Sequence, residues 1–302
     1  MKDEIMVSKS LESNSYTLAG GSGASYINPE VWVRKIEEFA KAKLVMEPLG
    51  RRYNELMGQA GGTLNIQYNS EISAAALTET TAITPSAFSY TQVVFTPSEY
   101  GVAVALTRKE RIRSIQDIME EKTRDMGYAL AKAKDNKITT TLRGGAGNAV
   151  VVNDVDVSAV TTSDTIGTDD IADAVTALRV DEYDAKYIVI HPKQENALLK
   201  LSDFIDASIY GGREVVMNGE IGKYLGMRVL VTTQIPRNAT TSTAYDALVL
   251  DQDAFGIAYK MGITFNSDYK VLEREFVLAA VEEYDVQVLR ANKICTLTAY
   301  GG

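Results

Sequence analysis

The stretch Glu99 to Gly145 reads EYGVAVALTRKERIRSIQDIMEEKTRDMGYALAKAKDNKITTTLRGG, and its reading decides the fold. Tyr100 to Thr107 is strand-like, rich in Val and small residues. Ser114-Ile115-Gln116-Asp117 then forms a capping-box variant, a hydroxyl at the cap and an acid three residues on. Helical composition runs from there to about Leu142 and stops at Gly144-Gly145. At ~1.5 Å per residue this predicts a rod of roughly 40 Å, against a typical helix of ~11–12 residues. Its expected apolar stripe is Ile115, Ile118, Met119, Met126, Ala129, Leu130, Ala133 and Ile138, interrupted by Lys122 and Gly127.

Upstream, residues 63–107 read as β. Leu64, Ile66 and Tyr68 alternate with polar residues, and Thr91 to Phe95 is strand-like again. Between them, Asn69 to Tyr90 is dominated by Ala, Thr and Ser and has no core pattern of its own. A two-strand excursion with such a tip leaves unpaired edges, which a neighbouring subunit would cover. Before it, Pro29 opens a helix whose Trp32, Ile36, Phe39 and Ala40 share a face. Residues 1–27 are polar, rich in Ser and Gly, and read as an arm that orders only against a partner.

Downstream, residues 165–260 mix helix and strand. Ile171, Ala174, Val175 and Leu178 recur at i, i+3, i+4 and i+7, with Thr168 as the expected cap. Lys186 to Ile190 reads as a buried strand, Pro192 opens a helix, and Arg228 to Thr232 and Ala247 to Leu250 read as strands. After Gly262 the chain returns to β through Phe276 to Val281, Tyr284 to Leu289 and Ile294 to Ala299. The fold class is α+β, with the first and last parts sharing one domain and the insert forming another.

The chain has 302 residues, 45% of them hydrophobic, and a formal net charge of −9. The acidic balance argues against a dedicated nucleic-acid binder. The charge is uneven: Arg108 to Arg143 holds ten Lys or Arg against six Asp or Glu, a local +4, so the remainder carries −13. A solvated helix face accounts for that excess as readily as a binding surface. No window has the ~18 or more uninterrupted apolar residues of a membrane span. The first residues mix Lys2, Asp3, Glu4 and Lys9 rather than a signal-peptide core, so a cytoplasmic product is expected.

Catalytic and metal motifs fail residue by residue. One histidine, His191, cannot build an H-E-x-x-H zinc site, and its place before Pro192 points to helix capping. Gly222-Lys223 lacks the upstream glycine of a phosphate loop, Met217 standing there, and Tyr224 replaces Ser or Thr. Asp154, Asp156 and Ser158 mimic a calcium loop, but Ala159 and Thr165 stand where it needs Gly and Glu. Asp251 and Asp253 start another, and Gly262 replaces its Glu. Glu282 and Glu283 point to opposite faces of a strand and are no acid/base pair. The lone Cys295 lies in a strand-like run and reads as a buried small hydrophobe. No cofactor, no metal and no catalytic residue is expected.

The order of these elements carries a resemblance. Glu99-Tyr100-Gly101-Val102-Ala103 runs through Leu106-Thr107 into the long helix with Ala129-Leu130-Ala131 and Asp135-Asn136-Lys137-Ile138. Glu79 precedes Ala82-Ile83, Ile190-His191-Pro192 precedes Leu198-Leu199, and Gly222 to Val229 leads to Pro236. From about Asn28 to Ala299 the chain resembles the tailed-phage major capsid proteins of the Hong Kong 97 fold, nearest in flavour to the phage N-four subgroup. The resemblance implies an N-terminal arm (1–27) and a peripheral domain (28–62, 91–164 and 261–302) with a spine helix at about 114–142. It also implies an extended loop (63–90), tipped by Thr78, Glu79 and Thr80, and an axial domain (165–260). It implies no enzyme but hexamers and pentamers of one subunit, in a virion capsid assembled in the host cytoplasm around double-stranded DNA. Portal and separate scaffolding or decoration proteins would be partners, with no membrane. In that fold the spine helix lies toward the lumen, so Lys132, Lys134 and Lys137, with only Asp135 close by, are expected as a lumenal basic face. An encapsulin-like compartment with an enzyme cargo shares the fold and stays open as an alternative.

Overall fold

Besides four short 3-10 turns, the described residues form four α-helices and twelve strands. They are β1 (Arg51–Tyr53), β2 (Leu64–Asn69), β3 (Tyr90–Phe95), β4 (Ser98–Thr107), α1 (Arg108–Arg113), α2 (Ile118–Gly144), β5 (Asn148–Val151) and α3 (Thr168–Val180), followed by β6 (Tyr187–Ile190), α4 (Pro192–Leu199), β7 (Lys223–Tyr224), β8 (Met227–Val231), β9 (Ala244–Leu250), β10 (Phe255–Lys270), β11 (Glu275–Val288) and β12 (Ile294–Tyr300). They come from a computed structural model that describes residues 45–69, 74, 90–113, 118–200, 223–241 and 243–301. The expected arm, the helix after Asn28, the cap at Ser114 to Asp117 and the loop tip Thr78, Glu79 and Thr80 lie outside the described residues.

The chain divides into two units. The first takes residues 98–139 and 261–284 together with the chain up to Pro48; the second takes 49–97, 140–260 and 285–302. This cut corrects the expected boundaries. Residues 140–164 and the terminal strand belong with the α/β insert.

In the first unit, β11 pairs antiparallel with β4, from Glu275↔Thr107 to Tyr284↔Ser98. Leu278, Ala280, Glu282 and Tyr284 alternate along β11 as buried residues, the period-2 signature of a half-buried strand. β11 is one continuous strand, where the sequence reads two. The helix α2 buries Met119, Met126 and Leu130 against Leu106, Phe265, Leu278 and Ala280. Its 27 residues span about 40 Å. Ala129 and Ala133, expected on the stripe, are exposed, while Gly127, read as an interruption, is buried. Lys122, the other interruption, pairs with Asp125 at 3.4 Å on the helix surface.

The second unit is built on a six-stranded sheet in the order β5-β12-β9-β6-β8-β7. β12 lies between β5, parallel, and β9, antiparallel. One face carries Ile188, Ile190, Val249 and Leu297, and Ile171, Ala174, Val175 and Leu178 of α3 pack onto it. These four helix residues are all buried, so the periodic reading holds. The N-cap is Gly167 rather than Thr168, and the Asp170 carboxylate accepts the Gly167 N–H at 2.8 Å. β7 and β8 are joined by Leu225-Gly226, at φ 48° and 84°. A two-residue hairpin turn needs positive φ at both central positions, and Gly226 supplies one without a Cβ penalty.

β2 and β3 form a two-stranded antiparallel ribbon from Leu64↔Phe95 to Asn69↔Tyr90. Its base is anchored by Phe95 packing with Tyr53 and Ala258. A ribbon of two strands is marginal alone in water.

Candidate functional site

The buried stripe of α2 is not wholly apolar. Stepping by four from Leu130 reaches Lys134 and then Ile138, and Lys134 is only 5% exposed. Its ammonium donates to the carboxylate of Glu282 on β11, also buried. It also stands 5.2 Å from the centre of the Tyr284 ring, which stacks on Tyr100 at 4.6 Å. Burial, and then the neighbouring Glu282 charge, push the Tyr284 phenol well above its ordinary range. An ion pair held against two stacked rings registers the helix on the sheet.

One residue on, Asp135 is buried as well. Its two carboxylate oxygens accept the backbone N–H groups of Val45 and Met46, each at 3.3 Å. Desolvation pushes its pKa up to about 6 despite those bonds, and the nearby Glu47 adds to the rise. Thr123 and Thr139 complete the polar part of the stripe, donating back to the carbonyls of Met119 and Asp135. Such bonds satisfy a buried hydroxyl within the helix itself.

This geometry corrects the expected basic face. Lys132 is exposed, Lys137 half-buried and Lys134 buried. At 100° per residue Lys134 stands roughly 160° around the helix from Lys132, so the three never share a face. Lys134 serves the interior of the first unit.

In the second unit, the last turn of α2 carries Arg143, whose Nε meets the buried carboxylate of Asp246 at 2.6 Å. Asp246 also accepts from Thr298 at 2.7 Å and Asn238 at 2.8 Å. Three donors compensate a charge at the centre of the sheet, which would otherwise carry a large desolvation cost.

His191 caps α4, its Nδ1 accepting the Lys193 N–H at 3.2 Å, and its ring stacks on Tyr245 at 4.0 Å. Burial, then Lys193 and Arg237, hold its imidazole below the ordinary range. Cys295 is fully buried, and burial pushes its thiol up to about 12. Asp156 accepts from Ser158 within its own turn, and Asp251 pairs with Lys293 at 3.0 Å. Among the described residues no group of three or more His, Cys, Asp or Glu could hold a metal ion, and no helix is long and apolar enough to cross a membrane.

Among the described residues, the buried ionisable groups Lys134, Glu282, Asp135 and Asp246 join the protein's own elements. Comparison with known proteins agrees. A family model described as phage capsid protein matches residues 90–289, the greater part of the chain. This chain therefore belongs to the phage capsid protein family, and it is a structural protein, a shell-forming major capsid protein of the virion. Among solved structures it is similar to the capsid of the cyanophage P-SCSP1u, at TM-score 0.68 and 16% identity, covering 86% of this chain and 89% of that one. A structure from Mycobacterium phage Che8 matches at TM-score 0.66 and 16% identity, over 84% and 90% of the two chains. The capsid of Ralstonia phage GP4 matches at TM-score 0.66 and 13% identity, over 84% and 87%. These neighbours share the Hong Kong 97-type fold, and the match to a capsid family does not favour the cargo compartment. No curated protein matches by sequence.

Proposed function

We propose that the chain assembles as hexamers and pentamers into an icosahedral shell around double-stranded DNA. The observation that carries this reading is the family match over residues 90–289, which runs from β3 through α2 into β11. The first unit, with α2 as the spine helix, serves as the peripheral domain, and the second, with its six-stranded sheet, as the axial domain. The β2–β3 ribbon is the stem of the extended loop, with Thr78, Glu79 and Thr80 at its tip. Assembly takes place in the host cytoplasm with a portal protein and separate scaffolding or decoration proteins.

Of the expected basic residues, Lys132 and Lys137 remain accessible; they stand about 140° apart around α2, so each would meet DNA separately rather than as one face. Their support is the local charge excess of residues 108–143 and their accessibility on α2. Phosphate contact by such lysines is sequence-independent and salt-sensitive. Negative-stain electron microscopy of the purified chain tests the assembly reading: shells, capsomers or large polymers are expected. A clean monomer at high concentration refutes it.

A further inference from the structure

In the first unit, Arg108, Arg111, Ile112, Tyr269 and Phe276 line an open cavity of about 450 Å³, a size within the ~300–1,000 Å³ range of small-molecule sites. Its walls are fixed by the chain's own bonds. The Thr107 N–H and hydroxyl donate to the Glu110 carboxylate at 3.0 and 2.8 Å, and the Glu110 N–H donates to the Thr107 hydroxyl oxygen at 3.3 Å. That reciprocal cap sets α1 on the end of β4. The Arg108 N–H donates to the Arg274 carbonyl at 2.9 Å and holds the β10–β11 turn beside α1. Tyr269 and Phe276 flank that turn half-buried, their ring centres 4.5 Å apart.

Arg108 and Arg111 stand at i and i+3, on one side of α1. The acids nearest in sequence are engaged elsewhere: Glu110 in the cap, and Glu273 and Glu275 on Lys270 at 3.0 and 3.3 Å. Among the described residues, then, neither guanidinium has a carboxylate within ion-pair distance. The Arg111 guanidinium lies 4.9 Å over the Phe276 ring, so one wall carries charge and aromatic surface together. Paired guanidiniums suit the oxygens of a phosphate, and aromatic walls suit a planar base. A bare anion would leave the rings unused. A neutral aromatic ligand would leave two charges partly desolvated without a counterion. We infer that this cavity is a nucleotide site, with phosphate on Arg108 and Arg111, base against Tyr269, and sugar on the rim at Ile112, which is 71% exposed. Bases in a duplex are paired and stacked, so the ligand is a free nucleotide or one nucleotide of a single strand. The site is separate from the phosphate contacts of Lys132 and Lys137, and it does not rest on the shell reading.

Calorimetric titration of the purified full chain tests it, with deoxyadenosine monophosphate, deoxyadenosine, inorganic phosphate and a short oligodeoxyadenylate as probes. The monophosphate is expected to bind about tenfold tighter, or more, than the nucleoside or phosphate alone, because each half of the site adds to the other. Arg108→Gln with Arg111→Gln should weaken it about tenfold or more, and Tyr269→Leu about fivefold or more. Arg108→Lys with Arg111→Lys keeps the charge and loses the fork, and its affinity should fall between. Arg179→Gln with Lys200→Gln, an equal loss of exposed charge in the second unit, should leave binding unchanged. Circular dichroism verifies the fold of each variant, and the comparison among probes on the wild type stands without them. An oligonucleotide bound as tightly as the monophosphate assigns the site to a strand; one excluded while the monophosphate binds assigns it to the free nucleotide, and either supports the site. No binding of both, phosphate bound as tightly as the monophosphate, or an affinity unmoved by the arginine changes overturns the proposal.

Discussion

Replacing Lys134 by Met removes one member of a buried pair and leaves Glu282 with its charge in the interior. The side chains of the two are 6% and 3% exposed, so water cannot take over the lost donor. Losing one partner of a buried pair costs about 3–5 kcal/mol, whereas an exposed pair is worth ~0–1 kcal/mol. Met retains most of the lysine stem volume, so the cavity contribution is small and the charge dominates. With Glu282→Leu added, the buried charge is gone and the pair becomes an apolar contact between α2 and β11. The double variant is expected within about 1 kcal/mol of the wild type, because apolar replacement of a buried pair is often neutral or better. Urea denaturation of unassembled subunits, analysed as a double-mutant cycle, measures the coupling. A loss below about 1 kcal/mol for Lys134→Met would refute the buried-pair account, and so would additive losses in the double variant.

Asp135 is expected to make the first unit more stable in mild acid. Its folded pKa of about 6 lies above the ordinary 3.8, so the folded state binds the proton more tightly. That contribution is full below about pH 4 and lost as pH rises through 6, at most about 3 kcal/mol before solvent screening. Thermal melts of wild type minus Asp135→Asn across pH 4 to 7 should show this slope, and a flat difference would contradict it. Changing Lys132 and Lys137 to Gln is expected to leave empty shells intact and to weaken DNA retention as salt is raised, read by density-gradient banding of filled particles. Cys295 should resist thiol reagents in the native protein at pH 8 and react stoichiometrically in guanidinium, since only the thiolate is nucleophilic; rapid native labelling would contradict its burial.

Periodicity made part of this legible. Ile171, Ala174, Val175 and Leu178 announce α3 and its buried face, because an amphipathic helix writes its core contact at fixed spacing. The place of Lys134 was also written there, at the fourth position between Leu130 and Ile138. A reading that scores only apolar residues discards it. Glu282 hid in the same way. It sits in the alternating row of Leu278, Ala280 and Tyr284, yet two adjacent acids look like the end of a strand, and β11 reads as two pieces. Each charge conceals its position because the compensating charge lies far away in the chain, and only the fold brings them together. The domain cut failed for a related reason. Nothing in Ile294 to Tyr300 says that its neighbours are β5 and β9. The buried carboxylate of Asp246, with its donors from three separate segments, had no local signature at all.

The position of β12 has a consequence for synthesis. It follows both β5 and β9 in the chain, yet it lies between them. A nascent chain stopped anywhere before Ile294 therefore leaves β5 and β9 without the strand that joins them. Such pairings also form late in folding, because a long loop must close first. A chain truncated short of that strand is expected to leave the apolar edges of β5 and β9 open, and limited proteolysis of the truncated protein against the full chain tests this. The joining of β5 to β9 thus waits on a strand made after both of them.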